Sequence, residues 1–420
     1  LHDGSPNYLH AEMELTMTMF EGRIFHTFEN SLVATPVSGV LDMLLLALMA
    51  SMLVSAFIIV TERWHGSFSF DKDVNGIQKV HHNPVPRTGG IALLAGILVV
   101  PVFGLSGHSL GLHEANGIGI FKLLLAAVPA LLAGLFEDLT KNGSVKMRLL
   151  ATFASAILAA WLLGAHLPRL DVWGLDDALH LIPVSLAITA FAVAGVTNSI
   201  NIVDGFHGVA GGAVVVVLAG MGFLSWQAGD AFVMQLALVG IGATLGFLML
   251  NYPTGRLFMG DGGAYLLGFW VAEVAVLTIV RNPQINTWQI LAICAYPVIE
   301  VVFSMYRRKI VRKASVGAPD RLHLHSLVYR RVACQKIPCT KEYPWIRNAT
   351  VAWFVSTWIA TATLLAVLVG NTISAAVALV LIQAFAYMAL YTRLIRGHWC
   401  RCLNPAVVFG WRPEPRIKAT

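Results

Sequence analysis

The chain has 420 residues, of which 57% are hydrophobic and only 12% charged, whereas soluble domains are about half apolar and roughly a quarter charged. That balance excludes a soluble globular protein. The net charge of +6 comes with no aromatic-interleaved basic module, so it does not indicate a nucleic-acid binder. Five cysteines, Cys294, Cys334, Cys339, Cys400 and Cys402, are odd in number and too few for a disulfide framework, and their spacings fit no zinc site well.

Residues 1–31 carry five acids against the single base Arg23. They lack the basic start and apolar run of a signal peptide, and are left outside the fold as an acidic segment. Apolar runs of about 18 or more residues, enough to cross ~30 Å of hydrocarbon at ~1.5 Å per residue, then follow at 39–60, 89–106, 119–137, 147–166, 181–199, 206–226, 230–250, 262–280, 286–306, 349–369 and 371–392. The prediction is an all-α polytopic membrane protein of about eleven helices, with the membrane domain over 32–392 and a basic tail over 393–420. With the N-terminus outside, 25 of the 29 Lys and Arg residues fall in inside loops and the tail, so the positive-inside rule places the C-terminus and the polar loops in the cytoplasm.

Those loops hold the chemistry. The first ends Lys79-Val-His-His82-Asn-Pro-Val-Pro-Arg87-Thr-Gly-Gly90, where prolines and paired glycines frame a turn that delivers basic and imidazole groups to the membrane surface. The third span runs into Glu137-Asp138, two carboxylates ending a hydrophobic helix, which lipid tolerates only with a partner or a task; a solvated helix end is the plainer alternative. Asn198, Asn201 and Asp204 recur every third residue and are followed by Gly205, so amide and carboxylate oxygens line one helix face where the backbone can be approached closely.

Phe258-Met-Gly-Asp261-Gly-Gly sets a lone carboxylate among glycines, a good oxygen ligand for Mg2+, with Phe258 either an aromatic plate for a base or a core residue. The longest loop contains Asp320-Arg321-Leu-His323-Leu-His325-Ser326, whose histidines can bind a metal or donate to phosphates. Glu273 and Glu300, inside the eighth and ninth spans, are read as structural, with a kink at Pro297. Together these clusters make a phosphoryl-transfer inventory at a membrane face, suited to one soluble nucleotide and one lipid phosphate.

In these motifs and their order, over about residues 40–392, the chain resembles the polyprenyl-phosphate N-acetylhexosamine-1-phosphate transferases of glycosyltransferase family 4, nearest the bacterial undecaprenyl-phosphate GlcNAc-1-phosphate branch. The resemblance implies transfer of an N-acetylhexosamine 1-phosphate from a UDP-sugar to undecaprenyl phosphate at the bacterial plasma membrane, with release of UMP. Mg2+ is the implied cofactor, with Mn2+ as a substitute, and the implied pathway is O-antigen or related envelope polysaccharide synthesis.

It casts Glu137, Asp138 and Asp261 as catalytic, and Asp261 with Asn201 as metal ligands. It casts Lys79, His82, Arg87, Asn198, Asp204, Gly205, Phe258, Arg321, His323 and His325 as substrate-binding. A homodimer is compatible with it. Departures are Glu137 where the family has Asp, His207 where many members have a second Asp, and Ser326 in place of a third histidine. The longer histidine signature of the peptidoglycan-precursor branch is absent, which weighs against that alternative. A secondary transporter is the competing class, but its ionisable groups would sit near the bilayer midplane on broken, often repeated helices, and no internal repeat is evident.

Overall fold

The computed structural model describes residues 37–71, 84–106, 114–141, 143–313, 320, 322–338, 343 and 345–396. Lys79, His82 and Arg321 lie outside them. Apolar runs become helices because in lipid each backbone N–H and C=O must be satisfied within its own segment.

The principal helices are α1 (Val37–Val60), α2 (Glu62–Ser69), α3 (Gly89–Leu105), α4 (Glu114–Thr140), α5 (Val145–Leu163), α6 (Asp176–Leu179), α7 (Ile182–Val203), α8 (Val209–Gln227), α9 (Ala231–Asn251), α10 (Gly260–Arg281), α11 (Thr287–Ile293) and α12 (Ala295–Tyr306). After a π-helical stretch at Arg307–Val311 come α13 (Leu324–Val328), a second π-helical stretch at Tyr329–Ala333, α14 (Cys334–Lys336), α15 (Ile346–Val369) and α16 (Ile373–Arg396). Among the described residues nine helices are long and apolar enough to cross a membrane. Counted as one span, the bent pair α11–α12 brings the candidates to ten against the predicted eleven, and α3, apolar but only 17 residues long, falls short of the length of the others.

The ninth span is broken by 80° rather than gently kinked. The cause is Pro297: it has no N–H for the carbonyl of Ile293 four residues back, and its ring crowds that carbonyl, so α11 stops there and α12 starts at Ala295.

Helix α10 is the axis of the bundle. Its most apolar window is 94% buried, against 17% for α16, so α16 faces lipid along most of its length. Helices α3, α4, α7 and α8 pack around α10. Because lipid tails are as apolar as Leu, burial alone does not hold such helices together and close approach must do so. Gly134 of α4 supplies it: a Cβ built there would lie 2.6 Å from the carbonyl carbon and oxygen of Asp261.

A two-stranded antiparallel ribbon, β1 (Phe70–Asp71) with β2 (Val85–Pro86), pairs Phe70 with Pro86 and Asp71 with Val85. The segment after it is stitched to the entrance of α10, with Phe258 N–H donating to Pro86 O (2.9 Å), Gly89 N–H to Phe258 O (3.0 Å) and Gly90 N–H to Met259 O (3.0 Å). Arg87 is thereby held beside the first turn of α10.

Candidate active site

At one end of the bundle the last turn of α4, the first turns of α5 and α10, and the last turns of α7 converge. Asp138, buried in the last turn of α4, accepts from the backbone N–H of Asp261 through Oδ1 and of Gly262 through Oδ2, both at 2.8 Å. A carboxylate here satisfies two of the donors that open every helix and sits at the positive end of the α10 dipole. Gly260, which begins α10, has φ +72, and a Cβ there would meet the Asp138 carboxylate at 2.5 Å, so only glycine admits this cap.

Capped in this way, α10 presents Asp261 to three partners. Arg148 Nη1 donates to Oδ2 at 2.5 Å, Asn201 Nδ2 donates to Oδ1 at 3.2 Å, and Arg87 Nη2 lies 3.5 Å from Oδ1. Arg87 also lies 3.5 Å from Asp138 Oδ1. Arg148 reaches the centre because a short turn reverses the chain after α4 and Ser144 caps α5 by accepting from Met147 N–H at 3.1 Å. Its guanidinium is 6.0 Å from the Tyr265 ring centroid, and Tyr265 O–H donates to Asn198 Oδ1 at 3.3 Å.

Glu137 is half-buried, its Oε2 has no hydrogen-bond partner among the described residues, and Gly143 packs against the carboxylate. Asp204 ends α7 at the C-cap. Desolvation pushes its carboxyl up to about 7; Asp261 and Asp138 add to the shift and Arg87 opposes it.

The turn after α7 and the loop after α9 are tied by Asn251, whose Oδ1 accepts from Gly208 N–H at 2.8 Å and whose Nδ2 donates to Leu257 O at 2.7 Å. This brings His207 and Phe258 ring to ring at 5.6 Å, tilted by 31°.

The histidine segment closes over the same end. His325 Nε2 lies where a Gly205 Cβ would come within 2.8 Å, and its ring meets Phe206 edge-on at 5.7 Å. Burial is the main cause that pulls His325 down to about 4, so the ring is neutral near pH 7. His323 stacks on it at 5.3 Å, and its Nδ1 pairs with Glu300 Oε1 at 3.0 Å. Glu300 also accepts from Leu324 N–H at 3.1 Å. Glu300, read from sequence as structural and without an identifiable charged partner, thus meets a side-chain partner in His323.

Of the sequence-predicted residues, Arg87, Glu137, Asp138, Asn198, Asn201, Asp204, Asp261, Gly205 and His325 gather here, with Phe258 on the rim and His323 facing Glu300. Arg148, Tyr265 and Asn251 were not singled out. An Arg near a span end reads as a topology anchor, and nothing local distinguishes one that pairs with an acid 113 residues away.

Among the described residues no three His, Cys, Asp or Glu side chains form a ready metal cage. Mg2+ is typically held by one or two carboxylates with water and substrate phosphates, and this donor set fits that pattern. Asp261 offers the carboxylate, and rotating the Asn201 amide by about 180° would turn its Oδ1 to the same place.

The fold and this centre define a polytopic membrane protein that concentrates carboxylates and guanidiniums at one end of its bundle. The family model for glycosyl transferase family 4 matches residues 120–279, which include Glu137, Asp138, Arg148, Asn198, Asn201, Asp204 and Asp261 but not Arg87 or the histidine segment. An undecaprenyl-phosphate alpha-N-acetylglucosaminyl 1-phosphate transferase of Salmonella typhi is 33% identical over 61% of this chain and 69% of its own length. Its namesake from Escherichia coli K12 is 31% identical over the same shares. A probable undecaprenyl-phosphate N-acetylglucosaminyl 1-phosphate transferase of Bacillus subtilis is 28% identical over 59% of this chain and 66% of its own. The chain thus spans about two thirds of the length of these curated relatives. It belongs to glycosyl transferase family 4.

Proposed function

We propose that the protein transfers an N-acetylhexosamine 1-phosphate, with UDP-GlcNAc the leading donor, to undecaprenyl phosphate and releases UMP. The setting is the bacterial plasma membrane, with the site cytoplasmic, the N-terminus periplasmic and the product used for O-antigen or a related envelope polysaccharide. The observation that carries this reading is Asp261, held from behind by the Asp138 cap and flanked in front by Arg148, Arg87 and Asn201. Phosphoryl transfer calls for such an arrangement, since it depends on positioning and on stabilising spread negative charge.

An oxygen of the lipid phosphate attacks the β-phosphorus of the UDP-sugar in line. The bond from that phosphorus to the bridging oxygen breaks, UMP leaves with the bridging oxygen, and a lipid-linked diphosphate sugar results. Arg87 and Arg148 bind phosphate oxygens. Asp138 is a positioning residue, because both its oxygens are committed to the α10 backbone. Glu137 Oε2, buried and without a hydrogen-bond partner among the described residues, accepts whatever proton remains on the lipid phosphate, whose second pKa is near ~6. Phe258 and His207 form the aromatic rim for the uracil, and Asn198 and Asp204 line the donor side. Mg2+, held by Asp261 and Asn201, would supply neutralisation of the diphosphate when bound.

The reading is tested by incubating purified protein with undecaprenyl phosphate, Mg2+ and a panel of radiolabelled UDP-N-acetyl sugars. Label should enter the lipid phase with one donor and only when undecaprenyl phosphate is present. Folded protein that labels no lipid from any donor contradicts it. A transporter would instead move label across a sealed vesicle without joining it to lipid.

A further inference from the structure

Apart from the acidic centre, the same end of the bundle holds a second feature that the proposed reaction does not use. A cavity of about 310 Å³ is lined by Arg312, Leu322, Leu327, Arg330, Arg331 and Ile395. Three guanidiniums meet three aliphatic side chains there, and none of the six lining residues is acidic. The carboxylate next to the cavity in sequence, Asp320, is already engaged, pairing with Arg307 and accepting from Leu322 N–H at 3.0 Å. Arg330 Nε donates to Ser326 O at 3.3 Å, which anchors that side chain at the edge of the cavity.

The apolar wall says what kind of anion fits. Ile395 is 39% exposed and lies in the last turn of α16, the span least buried in protein, so the cavity touches both the polar end of the bundle and the lipid-facing side of a helix. A soluble anion gains nothing from three aliphatic side chains. A phosphate diester on a glycerol carrying acyl chains satisfies both halves, and basic pockets between membrane helices take such head groups.

We propose that this cavity binds the head group of an acidic glycerophospholipid, with Arg312, Arg330 and Arg331 on the phosphate and Leu322, Leu327 and Ile395 against the glycerol and the first acyl carbons. Leu322 and Leu327 flank His323 and His325, and Leu322 O accepts from Arg307 Nη1 at 2.5 Å, so the bound lipid braces the segment that covers Gly205. The inference stands on the cavity and is independent of the proposed reaction.

The test is native mass spectrometry of the full chain in detergent, titrated with phosphatidylglycerol or with phosphatidylcholine of the same acyl chains. Phosphatidylglycerol should be retained preferentially. Arg312→Gln/Arg330→Gln/Arg331→Gln should weaken its retention about 100-fold, from roughly fivefold per basic residue near a membrane surface, and leave phosphatidylcholine unchanged. Equal phosphatidylglycerol retention by the triple variant overturns the proposal. Displacement of the lipid by inorganic phosphate at matched concentration would show a site for phosphate at large and overturn the lipid assignment. If the triple variant has no cooperative melting transition, Arg331→Glu decides: reduced phosphatidylglycerol retention supports the site and unchanged retention rejects it.

Discussion

Replacing Gly134 by Ala adds one methyl group at a place where two helices meet backbone to backbone. The new Cβ would lie 2.6 Å from the carbonyl carbon and oxygen of Asp261, whereas ordinary contact begins at 3.4 Å, so α4 and α10 must part by about 0.8 Å. No side chain can move aside to absorb this, because the atoms in the way are main chain. The Asp138 bonds to Asp261 N–H and Gly262 N–H, both 2.8 Å, would stretch toward ~3.6 Å, beyond hydrogen-bonding range.

Overpacking of this kind costs about 1–3 kcal/mol, and misplacing reacting groups by ~1 Å costs about 100-fold in rate. Sugar-phosphate transfer by Gly134→Ala in matched detergent should therefore fall about 100-fold, with only a modest fall in melting temperature. Gly195→Ala is the control: it is also helical, but a Cβ there meets nothing within 4 Å, and the exchange should be neutral or stabilising by up to about 1 kcal/mol. Full activity in Gly134→Ala would refute the claim that the α4–α10 contact sets the position of Asp261.

Two further outcomes follow from the site. Arg148→Met leaves Asp261 Oδ2 without its closest counter-charge and should lower kcat/KM about 100-fold, with Arg148→Lys retaining part of the rate because it restores charge without the planar fork; equal rates in Met and Lys variants would remove Arg148 from the chemistry. His325 is held neutral by burial, at about 4 against an ordinary 6.5. The unfolded chain therefore takes up a proton at a pH where the native one does not, and stability that is complete above pH ~7 should decline by about 3 kcal/mol on acidification to pH ~4. Thermal unfolding of His325→Gln across that window should lose most of this slope, and an unchanged slope would place the acid sensitivity elsewhere.

The spans and polar clusters were legible in the sequence because both signals are local. A run of some 20 apolar residues specifies a crossing by itself, and an acid or amide at its end is conspicuous. Asp138 stands out as an acid at the end of an apolar run, yet its position as the cap of α10 is invisible in the sequence, since the amides it accepts from lie 123 and 124 residues further on. Arg148 was hidden by a strong rule, because Lys and Arg near span ends are common for reasons of topology alone. Glu300 shows no side-chain partner in the sequence because His323 arrives on a loop 23 residues later. Pro297 signalled a kink, but not how far the chain would turn, which depends on what α11 and α12 pack against. What the sequence conceals in each case is a pairing across helices.

The most direct test of the central claim, that Asp261 organises a phosphosugar transfer, is the rate of UMP release by wild type and Asp261→Asn. Both are measured with undecaprenyl phosphate, UDP-GlcNAc and Mg2+, after circular dichroism has established that both are folded. Asp261→Asn keeps the size of the side chain and its place in the first turn of α10 but removes the charge that Arg148 and Arg87 face. Lipid-dependent release by wild type and a loss of at least about 1000-fold in the variant is the expected result, at the upper end of what removing one electrostatic group costs. Release that persists within tenfold in Asp261→Asn, or that proceeds without the lipid, would contradict it.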